Sequence, residues 1–154
     1  MLTEAQRTTL LADILANQDT ADKYAIGDLS SLANLYNADA APAFVVWRTS
    51  IPPADYREAI VWTEVDALTV GKARIWEWIT QSMTGNLNAA SANVRQGLLD
   101  CWASNTTTRT QLTAAAKRNA SRIEKLFATG TGSTASPATM AVEGPIGYEI
   151  FIGL

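Results

Sequence analysis

Four carboxylates, Glu58, Glu64, Asp66 and Glu77, are the side chains of this sequence best suited to acid–base or metal chemistry. A pair of carboxyls can act as acid and base, and a cluster can hold a hard cation. Their spacing argues against both uses. No two of the four stand three or four residues apart, so they meet only across helices. Arg57, Lys72 and Arg74 lie among them as ion-pair partners, and solvated or subunit-bridging salt links are the better reading. The 154 residues contain no histidine, which removes Cys–His and Ser–His pairs and most zinc sites. The single cysteine, Cys101, sits in Leu98-Leu99-Asp100-Cys101-Trp102 and reads as a small buried hydrophobe. No catalytic, cofactor-binding or metal-binding residue is assigned.

Two further patterns bear on ligands. Arg118, Arg122 and Lys125 are spaced by four and three, which places them on one helical stripe. Repeated around an assembly, the stripe would face DNA or a neighbouring subunit. The plainer reading is a solvated face that suits the negative end of a helix. Gly130-Thr131-Gly132 lacks the Lys-Ser/Thr of a phosphate loop and follows a helix instead of opening one.

Composition narrows the class. The chain is 47% hydrophobic and 18% charged, as an ordinary globular protein is. A net charge of −3, with the twelve basic residues dispersed, argues against a free nucleic-acid binder. Residues 1–7 carry no signal-peptide pattern. No stretch reaches the roughly 18 apolar residues of a membrane span.

Amphipathic helices must position these groups. Thr3 with Gln6 predicts a capping box before a helix carrying Leu10, Leu11, Ile14 and Leu15. A break over 17–20, a short helix over 21–26 stopped by Gly27, and a helix Leu29–Asn37 capped by Asp28 or Ser30 follow. Phe44–Trp47 reads as a short strand or an extended core segment. Thr49 or Ser50, with Pro52 and Pro53, predicts the start of a long helix that continues past Gly71 to Met83. Asn88 or Ser91 opens the next, with Val94, Leu98, Cys101 and Trp102 on one face. A last helix is predicted over Thr107–Phe127. The fold class is therefore all-α, a compact bundle of five or six helices over 1–127. The five tryptophans read as core. Trp76 and Trp78 are two apart and cannot share a face, so one of them points to a neighbouring subunit or another layer.

After Phe127 the character changes. Residues 128–137 are small and uncharged and read as a flexible linker. Residues 138–154 are apolar and β-prone, and they predict an extended or hairpin arm with a turn at Gly144-Pro145. At period two, Ile146, Tyr148, Ile150 and Ile152 share one strand face, with Phe151 on the other. An exposed apolar strand is an edge that seeks a partner. Thr139, Met140, Val142, Ile146, Tyr148, Ile150, Phe151 and Ile152 are the predicted partner-binding residues.

The strings Phe44-Val45-Val46-Trp47-Arg48-Thr49-Ser50-Ile51-Pro52 and Ile60-Val61-Trp62-Thr63-Glu64-Val65-Asp66-Ala67-Leu68-Thr69-Val70 carry a family likeness, as do Leu126–Gly132 and Pro137-Ala138-Thr139. Over about residues 44 to 143 the chain resembles the head-to-tail connector, or adaptor, proteins of tailed bacteriophages. The resemblance implies a homo-oligomeric ring of about twelve subunits docked beneath the capsid portal. In that arrangement a helical collar carries a C-terminal arm that packs on the portal. A neck or tail-tube protein binds the other side, and genome DNA passes through without sequence-specific binding. The implied location is the virion, and the host cytoplasm during assembly.

The leading expectation is thus a non-enzymatic structural protein, with no cofactor and no membrane partner, docking by strand addition and apolar contact. Avidity around the ring would strengthen a weak single contact. Two alternatives stand beside it: a small binding module that uses the C-terminal strand, and a carboxylate- or metal-dependent hydrolase built on Glu58, Glu64, Asp66 or Glu77.

Overall fold

The computed structural model describes residues 2–154. The chain is mainly helical with a few small strands. Its contacts divide it into two units. A terminal unit joins the chain up to Val46 with Asn119–Leu154, and a central unit is Trp47–Arg118. The helical expectation stands, but two units replace the single body over 1–127.

In the terminal unit the order is α1 (Glu4–Ala16), α2 (Gln18–Ala25) and α3 (Leu29–Asn37). Thr3 and Gln6 form the predicted capping box. The expected four-residue break shrinks to Asn17, which ends α1 and caps α2 by accepting the Asp19 N–H at 3.1 Å. Gly27 turns left-handed at φ 75° and stops α2. Asp28 then caps α3 through the Ser31 N–H, and its hydrogen bonds to Ser31, the side chain first and the N–H second, hold its carboxyl below the ordinary carboxylate value. Leu10, Ile14, Leu32, Tyr36 and Ile123 fill the core.

The linker and arm are the main correction. Residues 128–137 are a short strand followed by an ordered loop, and the segment after them is a wall of the terminal unit. Strands β3 (Ala128–Thr129) and β4 (Thr139–Met140) pair antiparallel, Ala128 opposite Met140 and Thr129 opposite Thr139. Between them the Thr131 hydroxyl donates to Ser136 O at 2.9 Å, and the Val45 N–H donates to Gly132 O at 2.7 Å. Gly132 stands at φ 66°, and a Cβ there would lie 2.1 Å from the Phe44 ring. Gly132 is therefore required by close packing, a demand that composition alone does not distinguish from a tether. Further on, Asn37 holds both the N–H and the C=O of Ile146 at 2.8 Å. Glu124 accepts the Gly144 N–H at 3.0 Å. Tyr148–Phe151 form a 3₁₀ turn in place of a strand. This turn drives Phe151 into the core at 1% exposure, 5.7 Å from Tyr36. Arg7 and the Tyr24 hydroxyl bind the last carbonyls.

Strand β1 (Val45–Trp47) and strand β2 (Lys117–Asn119) pair with each other. The chain leaves the terminal unit within β1 and returns to it within β2. In the central unit the predicted long helix is three helices: α4 (Pro53–Glu58), α5 (Trp62–Asp66) and α6 (Val70–Ile79). Ala59 and Ile60 are buried at the first break, where the extended Val61 donates its N–H to the Thr108 hydroxyl at 2.9 Å. Thr69 is extended at the second. Pro52, not Thr49 or Ser50, occupies the cap of α4, and Ser50 accepts instead from Asn86. After α6, Gln81, Ser82 and Met83 run left-handed at φ 48°, 56° and 68°. The Tyr56 hydroxyl on Gly85 O and the Arg57 guanidinium on Met83 O hold this turn.

Helix α7 (Ala92–Cys101) is capped by Ser91, and α8 (Thr107–Ala115) follows. The predicted helix to Phe127 ends there. Ser121 opens a separate helix, α9 (Arg122–Leu126), in the terminal unit through a capping box with Glu124. The central core is aromatic. Trp76 meets Tyr56 edge-on at 5.8 Å and Trp102 at 4.9 Å, with Leu87, Leu98, Leu112 and Cys101 around them.

Candidate interaction surface

Helix α6 sorts its two tryptophans by geometry. Two residues advance the helix by about 200°, so Trp76 and Trp78 face opposite ways. Trp76 is 3% exposed in the core, whereas Trp78 is 83% exposed. Val70, at the start of α6, is 74% exposed, and Trp62 on α5 is 62% exposed. The central unit thus presents two indoles and a valine to solvent.

The same unit contains an apolar cleft of about 180 Å³. Trp102 and Leu112 line its buried part, with Trp47, Leu99, Arg95 and Arg109 also on the wall. Arg95 lies 4.8 Å over the Trp47 ring, and Lys117 lies 5.5 Å from it. Arg95 also donates to Ala89 O and Ala90 O at 2.7 and 2.8 Å, and Arg109 to Trp102 O at 3.3 Å. No carboxylate lines this cleft. The Trp102 Nε1–H is buried without an acceptor.

The candidate catalytic carboxylates do not converge. Glu64 accepts the Thr107 and Thr108 N–H groups at 3.0 and 2.8 Å, and so caps α8, where Thr106 makes no side-chain cap. Those bonds, the Thr108 bonds first, hold its carboxyl below the ordinary value. Glu58, Asp66 and Glu77 are exposed. Among the described residues no group of three His, Cys, Asp or Glu side chains could hold a metal ion. The Cys101 thiol is pushed up to about 11 by burial and donates to Lys72 O.

The basic stripe is not one surface. Arg118 lies in β2, whereas Arg122 and Lys125 lie in α9. Arg122 pairs with Asp13 at 2.9 Å and stacks 4.5 Å over Tyr36. The Tyr36 hydroxyl donates to the same carboxylate, and burial above all raises it beyond the ordinary tyrosine value. Lys125 reaches Pro42 O and the Phe44 ring. Arg122 and Lys125 border a cavity of about 730 Å³ that Asp13 and Asp39 share, so its charge is mixed.

Of the predicted arm residues, Phe151 is core. Met140 packs beside Val46, Ala120 and Ala138. Val142, Ile146 and Ile150 pack on the terminal core. Thr139, Tyr148 and Ile152 remain exposed. Thr139 and Met140 form the short strand β4, and the residues after them are a packed segment without strand structure. The cleft was not foreseen, because its walls come from β1, α7 and α8. The opposed tryptophans of α6 were the one signal in the sequence for this surface. No protein-family model matches the chain, and no curated protein or solved structure does.

Proposed function

We propose that this chain is a non-enzymatic structural protein, a subunit of the ring that joins capsid portal to tail in a tailed bacteriophage. One observation carries the reading: Trp78, Trp62 and Val70 stand in solvent on a unit whose Tyr56, Trp76 and Trp102 are buried. Exposed indoles are costly on a monomer and are the residues that dominate protein interfaces. The resemblance over residues 44 to 143 supplies the kind of assembly. Docking on the portal falls to Tyr148 and Ile152, the large apolar tail residues that the core leaves exposed. The acidic balance of the chain suits a channel through which DNA slides without specific contacts. The principal candidate carboxylate, Glu64, caps a helix, and this favours a structural over a hydrolytic role.

The test is deletion of the gene from the virus that encodes it. The expected outcome is filled heads and separate tails in electron micrographs. Intact, tailed virions in the deletion strain would overturn the reading.

A further inference from the structure

We infer that Trp78 of one copy seats in the Trp47–Trp102 cleft of the next, with Glu77 against Arg95 and Arg109, in a head-to-tail contact that repeats around the assembly. The inference rests on the ring reading above and names the two faces that would make the ring.

Three observations carry it. First, the knob cannot fill its own hole. Trp76 faces Trp102, a wall of the cleft, at 4.9 Å, and Trp78 lies about 200° around the same helix. A knob and a hole on different faces of one unit make a heterologous contact, and such contacts generate rings when the rotation closes. Second, size and polarity match. The cleft, about 180 Å³, is a seat for one large side chain, lined by Trp47, Leu98, Leu99 and Leu112. Leu99 is itself among the exposed large hydrophobics, so the cleft opens to solvent through apolar surface. Third, charge matches. The only charged residues lining the cleft are Arg95 and Arg109, and the exposed residue adjoining Trp78 is Glu77. Arg74, one turn before Trp78 on the same face, is exposed and has the opposite sign, so the proposed contact requires that it lie outside the guanidinium pair.

The experiment uses the full chain and measures mass by light scattering on whichever assembled species the wild type forms, alone or on the portal ring. Trp78→Ala removes the knob, and Thr113→Trp fills the hole from α8. Far-UV circular dichroism checks that both fold, and Leu99→Asp replaces the second if it does not. Each variant alone is expected to stay monomeric, with self-association weakened about thirtyfold or more. An equimolar mixture is expected to stop at two chains, because one intact knob meets one intact hole. Assembly of Trp78→Ala at wild-type strength overturns this contact and leaves the ring reading standing. A mixture that stays monomeric, or that grows past two chains, overturns it as well. A wild-type chain that assembles neither alone nor on the portal removes the ring reading, and this contact with it.

Discussion

The two units solve the same problem with different materials. The terminal unit closes on aliphatic residues around Tyr36 and Phe151 and on both stretches of chain that reach it, so that Leu10, Ile14 and Leu32 from the first helices meet Ile123 and Phe151 from the last 36 residues. The central unit is one continuous stretch packed on Tyr56, Trp76 and Trp102. All five tryptophans fall in the central unit and none in the terminal one. Two of them are left in solvent. Most of the apolar C-terminal segment is consumed by folding, which leaves Tyr148 and Ile152 exposed, whereas both exposed tryptophans sit on α5 and α6. Hydrophobic character in a sequence does not say which of these fates it will have. The difference lies in whether side chains elsewhere, such as Asn37, Glu124 and Arg7, fix the backbone of the segment.

This contrast can be broken most severely at the tail. Deletion of residues 138–154 is expected to abolish the terminal unit, with hydrogen-exchange protection lost in α1 and α3. Phe151→Ala is the milder form and should cost about 3–5 kcal/mol, the usual range for emptying an aromatic site in a core. Protection retained in the truncated chain would restore the free arm. Next in size is a comparison within one helix. Trp76→Ala should destabilise the central unit by about 3–5 kcal/mol, while Trp78→Ala should change stability by no more than about 0.5 kcal/mol. Tryptophan emission during urea unfolding reads both, because it reports on the central unit alone. Equal losses would mean that Trp78 is a packing residue.

Smaller effects sharpen the local account. Ser121→Ala removes the cap of α9 and should cost about 1 kcal/mol, seen as a lower midpoint in far-UV melting. A change within experimental error would show that the end of α9 is held by other contacts. The smallest effect is a pH dependence at Glu64. Its carboxyl is held below its ordinary 4.5 in the folded chain, so the unfolded chain takes up that proton first. The stabilisation is therefore complete above about pH 4.5 and is lost as pH falls through the folded value. Glu64→Gln is expected to flatten that part of the acid limb, and an unchanged limb would remove Glu64 from the capping role.

Caps and stops were the legible part of the sequence. Thr3 with Gln6, Asp28, Gly27 and Ser91 act within a few residues, and local chemistry determines them. Breaks imposed by tertiary packing were not legible. The chain leaves the helix after Glu58 and turns extended at Val61, and no helical period announces it. The end of α8 had a readable signal, Ser121 three residues before Glu124, which a long run of apolar spacing from Leu112 to Phe127 masked. The small residues of 128–137 misled because glycine and serine suit a tether and a tight contact equally. Opposed faces for Trp76 and Trp78 followed from helix geometry alone, and this is the element of the site that the sequence disclosed. The cleft draws on β1, α7 and α8, and residues as far apart as Trp47 and Leu112 leave no mark of proximity in the chain.

The most direct test of the assembly role is the mass of the purified chain in solution, by light scattering on a sizing column, alone and with the portal ring. The account predicts a large ring, or a small species that joins the portal as one. A monomer that ignores the portal at every concentration would contradict it.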